Sequence, residues 1–405
     1  MILNLYKNNQ TKIMFIMIAL AIVGGIYVPT IFDPLTFISD IFINLVRVAI
    51  LPIMFASLVM TFAYIENIAK FKKVIFVSIS YILLTEIIAV SIAIAVFNYI
   101  HFPASKDMVL LLEATNSNIT GSSWTFHQIV SYLFPDNLLR AFVNFDVLPI
   151  LILAVLLGLA CGHDRQKSHN FTSFIMSVRD VFLILIKGIM YLAPLAIFAL
   201  VGQAVAASYT KGVLASNLLL LLKFVALFLL ALCLHFLWQI ALMLYFNRHL
   251  KLKELLQVSL PMAISAFITS SSLATLPIAL ELAKKLKAKN EVVDFMLPIC
   301  ASMNFASGMM YEMAACLFFM HVLGVDMSLS QQIFLGVMCI ITGISVGGIP
   351  ETGMISVITI FTIAHIPLSA IVILMPLDRI LDRVRTVVNI SGNTCGCLTV
   401  SKLVK

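Results

Sequence analysis

Charged residues are scarce in this chain. Asp, Glu, Lys and Arg make up 11% of its 405 residues, whereas soluble domains contain about 25%. Hydrophobic residues make up 61%. This balance excludes a soluble enzyme, because no stretch of the chain has the composition of a sizeable water-exposed domain.

Catalytic and metal-binding motifs are missing as well. The seven cysteines form no Cys-x-x-Cys pair and no His–Cys cluster with the spacing of a zinc site. The sequence also lacks a phosphate-binding loop and a nucleophile–base pair. We therefore expect no metal centre, no cofactor, no enzymatic activity and no nucleic-acid partner.

Long apolar runs fill most of the chain, and the mean hydropathy is +1.08. A helix needs about 20 mostly apolar residues to cross a bilayer. Up to residue 250, six such runs occupy residues 12–31, 36–64, 74–100, 127–161, 175–208 and 215–246. The sequence predicts an all-α polytopic protein of the cell membrane, surrounded by lipid.

The net charge of +7 is unevenly placed. Basic residues concentrate in alternate short connections, among them 70–73, 165–167, 248–253 and 284–289. Such connections lie in the cytoplasm of most membrane proteins. Both termini are then cytoplasmic, and the polar stretch 101–125 is an external loop.

The last third of the chain has a different pattern. Segment 254–283 is interrupted by a serine run at 270–272, and segment 329–366 by a glycine-rich stretch at 342–353. Such residues interrupt a helix and leave backbone N–H and C=O groups without helical partners. Inside a membrane, irregular backbone is tolerated only where it is buried in protein or lines a water-filled cavity. We therefore expect two re-entrant helical hairpins.

Two further spans, 291–322 and 367–400, carry polar residues at membrane depth and are interpreted as interrupted helices. A hairpin followed by an interrupted span thus occurs twice, entering once from each side of the membrane. This arrangement indicates inverted repeats with a binding site near the bilayer midplane.

Polar residues line one face of the last span. Six polar residues follow one another at intervals of 4, 3, 1, 3 and 4 residues, which puts them on one face of a helix: Asp378, Asp382, Arg385, Thr386, Asn389 and Asn393. Ionised residues at mid-bilayer cost about 2.5–3.5 kcal/mol each, which favours a functional role. Arg385 can hold a carboxylate bidentately and Asp382 an ammonium group, which suits an acidic amino acid. Asp378 and Arg379, nearer the outer end, are expected to pair with each other.

Four segments resemble, in order, the signature segments of the dicarboxylate/amino acid:cation symporters, the glutamate/aspartate transporters. They read SSSLATLP at 270–277, NFASGMMYE at 304–312, GIPETG at 348–353 and DRVRTVVNISGN at 382–393. The resemblance implies eight transmembrane helices, two re-entrant hairpins and a homotrimer. It also implies secondary active transport of an acidic amino acid or a C4-dicarboxylate by an elevator mechanism.

The resemblance divides the chain into a scaffold and a transport domain. The scaffold consists of helices 1 and 2 at 1–73 and helices 4 and 5 at 126–214. The transport domain combines helix 3 at 74–100 with residues 215–405, which comprise helix 6, hairpin 254–283, broken helix 291–322, hairpin 329–366 and helix 367–400.

The family pattern assigns the substrate contacts to particular residues of this chain. They are Ser271, Ser272, Ile349, Gly353, Asp382, Arg385, Thr386 and Asn389. By the likeness, Asp382 binds the amino group of the substrate and Arg385 its side-chain carboxylate. The hairpin backbone closes the pocket. One further family arginine stands here at Arg383, beside the substrate aspartate.

Departures from the family pattern concern the coupling cation. Ala306 and Asn393 stand where the family has aspartates, and Gly308 replaces a threonine. Sodium prefers hard, anionic oxygen ligands, so two of the family's sodium sites should be weak or absent. The residual cation-site positions are Thr85, Ser302, Asn304, Asn389 and Asn393.

Glu312 points to protons instead of several sodium ions, because a carboxyl group buried near a second acidic group suits a proton carrier. Glu86 and Arg383 are the other candidates for proton coupling. Two alternatives remain: a sodium-coupled symporter with reduced stoichiometry, and an anion channel or receptor-like relative.

Overall fold

A computed structural model describes most of the chain. The described residues are 2–63, 72–105, 142–143, 147–189, 191–210, 212, 214–248, 250–346 and 352–404. Within these ranges the regular structure is helical, as the sequence predicts. Five of the described helical segments are long and apolar enough to cross a membrane.

Seven helices precede residue 250 in the described part of the chain. They are α1 (Ile2–Tyr27), α2 (Thr36–Ala63), α3 (Lys72–Tyr99), α4 (Val147–His163), α5 (Arg165–Ile189), α6 (Ala193–Thr210) and α7 (Leu214–Phe246). Two short 3₁₀ turns, Pro29–Ile31 and Asp33–Leu35, join α1 to α2. The predicted external loop 101–125 lies outside the described residues from 106 onwards.

One predicted span is divided in the structure. The apolar run 175–208 falls on α5 and α6, which are separated by a turn at Tyr191 and Leu192. Pro194 is the second residue of α6. Proline has no backbone N–H and fits the first turn of a helix but not its interior, so a new helix begins there.

The remaining described helices follow as two pairs, a broken helix and a long last helix. They are α8 (Leu252–Thr269), α9 (Ser272–Lys285), α10 (Asn290–Met303), α11 (Ala306–Leu323), α12 (Leu329–Val346), α13 (Thr352–Ile363) and α14 (Ser369–Leu403).

The break between α8 and α9 falls on the serine run. Ser270 ends α8 with a φ of 49°, in the left-handed region. The side chain of Ser271 then accepts a hydrogen bond from the Ala274 amide and caps α9. Serine is a favoured helix N-cap, because its oxygen satisfies an amide that has no partner within the helix. The run therefore ends one helix and starts another within two residues.

The expectation that the last span is interrupted was wrong. Residues Ser369–Leu403 form one continuous helix. Polar side chains do not break a helix by themselves, because they do not remove backbone donors. Thr386, Thr394 and Thr399 instead donate their hydroxyls to carbonyls four residues earlier in α14.

The helices pack in two groups. In the first group, α1 packs against α6, and α2 packs against α4, α5 and α6. In the second group, α3 and α7–α14 surround one another, and α14 touches most of the other members. The apolar core of buried side chains continues from α2 into α11 and α13, so the two groups share a hydrophobic boundary.

Candidate functional site

The side chain of Arg385 is the charged centre of the second group. Only 1% of it is exposed. Its Nη2 donates hydrogen bonds to Asp378 Oδ1 and, at 3.2 Å, to Asp382 Oδ1. In the described part of the structure, Nε and Nη1 have no hydrogen-bond partner. Nη2 is thus the nitrogen of this buried guanidinium that is paired with carboxylates among the described residues.

Two other elements close around this guanidinium. Its central carbon lies 4.2 Å from the centroid of the Tyr311 ring on α11, in a cation–π arrangement. A Cβ added to Gly353, at the start of α13, would lie 2.8 Å from Nη2. The backbone of α13 can approach Arg385 this closely only because Gly353 has no side chain.

The sequence analysis did not name Tyr311 as a site residue, and it placed Asp378 on the polar face of the last span without pairing it with Arg385. Asp378 was expected to pair with Arg379, and the structure gives it a bond to Arg385 seven residues on. A seven-residue spacing puts both on one helical face, so the spacing was a usable signal. No spacing could have identified Tyr311, because it reaches Arg385 from another helix.

The break between α10 and α11 is held by two asparagines of α14. Phe305 provides no side-chain cap for α11. Instead, Asn389 Oδ1 accepts the Ser307 amide at 3.0 Å. Asn304 Nδ2 donates to Asn393 Oδ1 at 2.8 Å. The predicted residues Asn304, Asn389 and Asn393 thus meet at one place.

The same break explains one departure from the family pattern. A Cβ at Gly308 would lie 1.8 Å from Cε1 of the Phe305 ring. The ring fills the space that a side chain at position 308 would need. Glycine at this position is therefore a packing requirement of Phe305.

Three predicted hydroxyls are bonded within their own segments. Thr386 donates to the Asp382 carbonyl at 2.8 Å, and Ser302 donates to the carbonyl of Ile299 at 3.0 Å. Ser271 caps α9, and Ser272 is its first residue. Ile349 lies outside the described residues.

Arg383 joins α14 to the end of α8. Its Nη1 donates to the carbonyls of Phe267 at 3.0 Å and Ile268 at 3.4 Å. These carbonyls belong to the last turn of α8, just before the serine run. A cation at a helix C-terminus is favourable. Arg383 therefore holds the α8–α9 turn near the polar face of α14.

A sequence profile of the sodium:dicarboxylate symporter family matches residues 11–403. The chain belongs to this family. It is 25% identical over 388 residues to the proton/sodium-glutamate symport protein of Bacillus caldotenax, covering 94% of this chain and 91% of that protein.

Two relatives in Bacillus subtilis carry other substrate names. The proton/glutamate-aspartate symporter is 24% identical over 392 residues, which cover 96% of this chain and 93% of the relative. The C4-dicarboxylate transport protein is 25% identical over 405 residues, which cover 99% and 94%. The family and these relatives are transporters. The expectation that this protein is not an enzyme is therefore confirmed.

In this family member, Glu312 is fully buried one residue after Tyr311. Ser356 of α13 and Cys339 of α12 lie beside its carboxyl group, and Arg385 is within electrostatic range. At the distances in this structure, neither neighbour completes a hydrogen bond with the two oxygens. The carboxyl group of Glu312 therefore lies near both the charged centre and the α12–α13 pair.

Glu86 and Thr85 occupy a separate buried position on α3, and both have no exposed surface. Cys300 of α10 lies within electrostatic range of Glu86. Thr85 lies beside Tyr81, one turn earlier on α3. Cys300 precedes Asn304 by one turn, so this position is on the α10 side of the helix break.

Proposed function

We propose that this symporter-family protein is a secondary active transporter of glutamate, aspartate or a C4-dicarboxylate. The observation that supports this most is Arg385, which is buried, touches two aspartates and keeps Nε and Nη1 without partners in the described structure. A buried guanidinium is suited to bind a carboxylate bidentately. The substrate carboxylate would complete its hydrogen bonding.

The neighbours of Arg385 favour an amino acid among these substrates. Asp382 lies 3.2 Å from the guanidinium and can accept an ammonium group. Ser271 and Ser272 lie at the start of α9, and Gly353 lies at the start of α13. Together with Ile349, they would close the pocket with backbone groups. Thr386 and Asn389 would add contacts from α14.

The proposed mechanism is an elevator movement. The scaffold would be residues 1–73 and 126–214, and the transport domain residues 74–100 and 215–405. The packing of α3 with α7–α14 around Arg385 supports this division. The two helical pairs would be re-entrant hairpins, and the termini would be cytoplasmic. A homotrimer follows from the family resemblance, and light scattering should give the mass of three 44.7-kDa chains.

We infer further that protons, not several sodium ions, are the coupling cation. Glu312 is buried without an ion pair in the described structure, and an ionised carboxylate in that position is costly. Uptake of a proton removes this cost. Ala306 and Asn393 also supply no carboxylate to a sodium ion. Glu86 and Arg383 are additional candidates for the proton path.

The test is a binding and transport series with the purified protein. Binding of aspartate, glutamate and succinate is measured with and without sodium at several pH values. Uptake into proteoliposomes is then measured under a pH gradient alone and a sodium gradient alone. We expect saturable uptake that an inward proton gradient accelerates.

Three outcomes would contradict the proposal. Acceleration by sodium at fixed pH, with no response to a pH gradient, would replace proton coupling with sodium coupling of reduced stoichiometry. Unsaturable flux driven by voltage would replace the carrier with an anion channel. Binding of none of the three anions would overturn the substrate class.

A further inference from the structure

Two histidines meet where α3 and α11 end. His101 follows α3, and His321 is in the last turn of α11. Their ring centroids are 4.4 Å apart, with 59° between the ring planes. The two residues are 220 positions apart in the sequence, so only the packing of α3 against α11 brings them together.

Contacts on each side fix this pair in place. The Ser105 amide donates to the Val322 carbonyl at 2.9 Å, which attaches the segment after α3 to the end of α11. The Phe102 ring packs edge-on against Phe318 at 4.8 Å. Lys223 of α7 donates to the His101 carbonyl at 3.2 Å. The backbone on both sides of the imidazoles is therefore held.

One imidazole nitrogen of the pair has unused bonding capacity. His321 is 9% exposed, and its Nδ1 is buried without a hydrogen-bond partner in the described structure. His101 is exposed, so the pair can be reached from solvent. The charged groups nearby are Asp326, within electrostatic range of His321, and Lys223.

We propose that His101 and His321 form a binding site for a first-row transition-metal dication such as Zn²⁺. Neutral imidazole is a preferred ligand of zinc, copper and nickel. Zinc binds such nitrogens at about 2.0–2.1 Å, which places two nitrogens of a tetrahedral site roughly 3.3 Å apart. The ring centroids of His101 and His321 are 4.4 Å apart, so the proposed site requires rotation of the side chains to bring one nitrogen of each ring to this separation.

The bound ion would be open to solvent and could exchange. The described residues contain no group of three His, Cys, Asp or Glu side chains that could hold a metal. Water or solvent anions would therefore complete the coordination. Because the two ligands come from different helices, the bound ion would link the ends of α3 and α11. This site lies apart from Arg385 and does not depend on the proposed transport function.

The experiment is a zinc titration of the full-length protein in nanodiscs, purified through a tag without histidines. Calorimetry is run with ZnCl₂ on the unchanged protein and on His101→Ala, His321→Ala and His365→Ala. His365 is an exposed histidine on another turn and serves as the control. Loss of a supporting residue around a zinc ligand already costs about 10–100-fold in affinity.

We expect one zinc ion per chain, at least roughly 10-fold weaker binding in both pair variants, and unchanged binding in the control. The exposed His101 variant decides the test if the buried His321 variant fails to fold. No zinc binding to the unchanged protein would overturn the proposal. Binding that survives the loss of His101 would overturn it too.

Discussion

Arg385 is a buried cation that is paired with two carboxylates of its own helix. Asp378 and Asp382 balance its charge, and the Tyr311 ring covers one side. Balance is required because an unpaired charge in a buried position is costly. The neutralising groups come from the same helix, so the charge of Arg385 is balanced within α14.

Replacement of this arginine should remove acidic substrates selectively. Arg385→Cys is expected to weaken aspartate binding by about 2–5 kcal/mol, at least roughly 30-fold in Kd, because the substrate carboxylate loses its charged partner. The variant could then admit a small neutral amino acid. Calorimetry with aspartate and alanine measures both effects. Arg179→Cys, which removes an exposed arginine paired with Asp180 at 2.9 Å, is the control; unchanged aspartate affinity in Arg385→Cys would refute the assignment.

If Arg385 binds the substrate as proposed, we expect Asp378 to compete with it for the guanidinium. Asp378→Asn should lower the Kd for aspartate by up to roughly 10-fold, equivalent to about 1.4 kcal/mol, because the incoming carboxylate no longer displaces a charged acceptor. Asp294→Asn, which removes an exposed partner of Lys284 at 2.8 Å, serves as the matched change. If binding is lost instead, Asp378 is itself a substrate ligand.

At the scale of elements, the site depends on ends and breaks of helices. Asn389 caps α11 from α14, and Arg383 contacts the last turn of α8. Side chains of one long helix thus satisfy backbone groups that neighbouring elements leave unpaired. The continuity of α14 makes this possible, because a rigid helix holds these groups at fixed spacings along one face.

The start of α13 should be sensitive to a single methyl group. In Gly353→Ala the new Cβ would lie 2.8 Å from Arg385 Nη2 and 3.1 Å from Nη1. The guanidinium is the flexible end of a side chain, so thermal stability should change little while aspartate binding weakens about 10-fold or more. Gly188→Ala, where nothing lies within 4 Å of the added Cβ, should leave binding unchanged. Equal affinities in both variants would exclude close approach of α13 to the bound substrate.

At the scale of the whole molecule, Glu312 lies near the charged centre and near Ser356 and Cys339 of the α12–α13 pair. Coupling requires a group that is charged in one state and neutral in the other. If the second group of helices moves as proposed, a carboxyl group buried inside it can meet that requirement.

The proton role of Glu312 can be separated from substrate binding. In Glu312→Gln, uptake driven by a pH gradient should fall by at least about 10-fold, because the amide cannot release a proton. Exchange of internal for external labelled aspartate, which moves no net proton, should continue. Glu281→Gln, at an exposed position of α9, is the matched control. Retained pH-driven uptake in Glu312→Gln would assign the proton to another residue, with Glu86 next.

Much of this architecture follows from local properties of the sequence. Apolar length predicts the helices, the serine run predicts the α8–α9 break, and the spacing along 378–393 predicts a polar face on α14. These features depend on residues within a few turns of one another. Helix periodicity and backbone chemistry are sufficient for them.

The tertiary structure added what depends on contacts between distant segments. The ring of Tyr311 over Arg385, the capping of α11 by Asn389 and the pairing of His101 with His321 join residues from different helices. A helical pattern specifies which face is polar and leaves open which neighbour meets it. The packing of α14 against α11 and α13 decides this, because it determines which buried donors and acceptors are paired. Nε and Nη1 of Arg385 are among those that have no hydrogen-bond partner in the described structure.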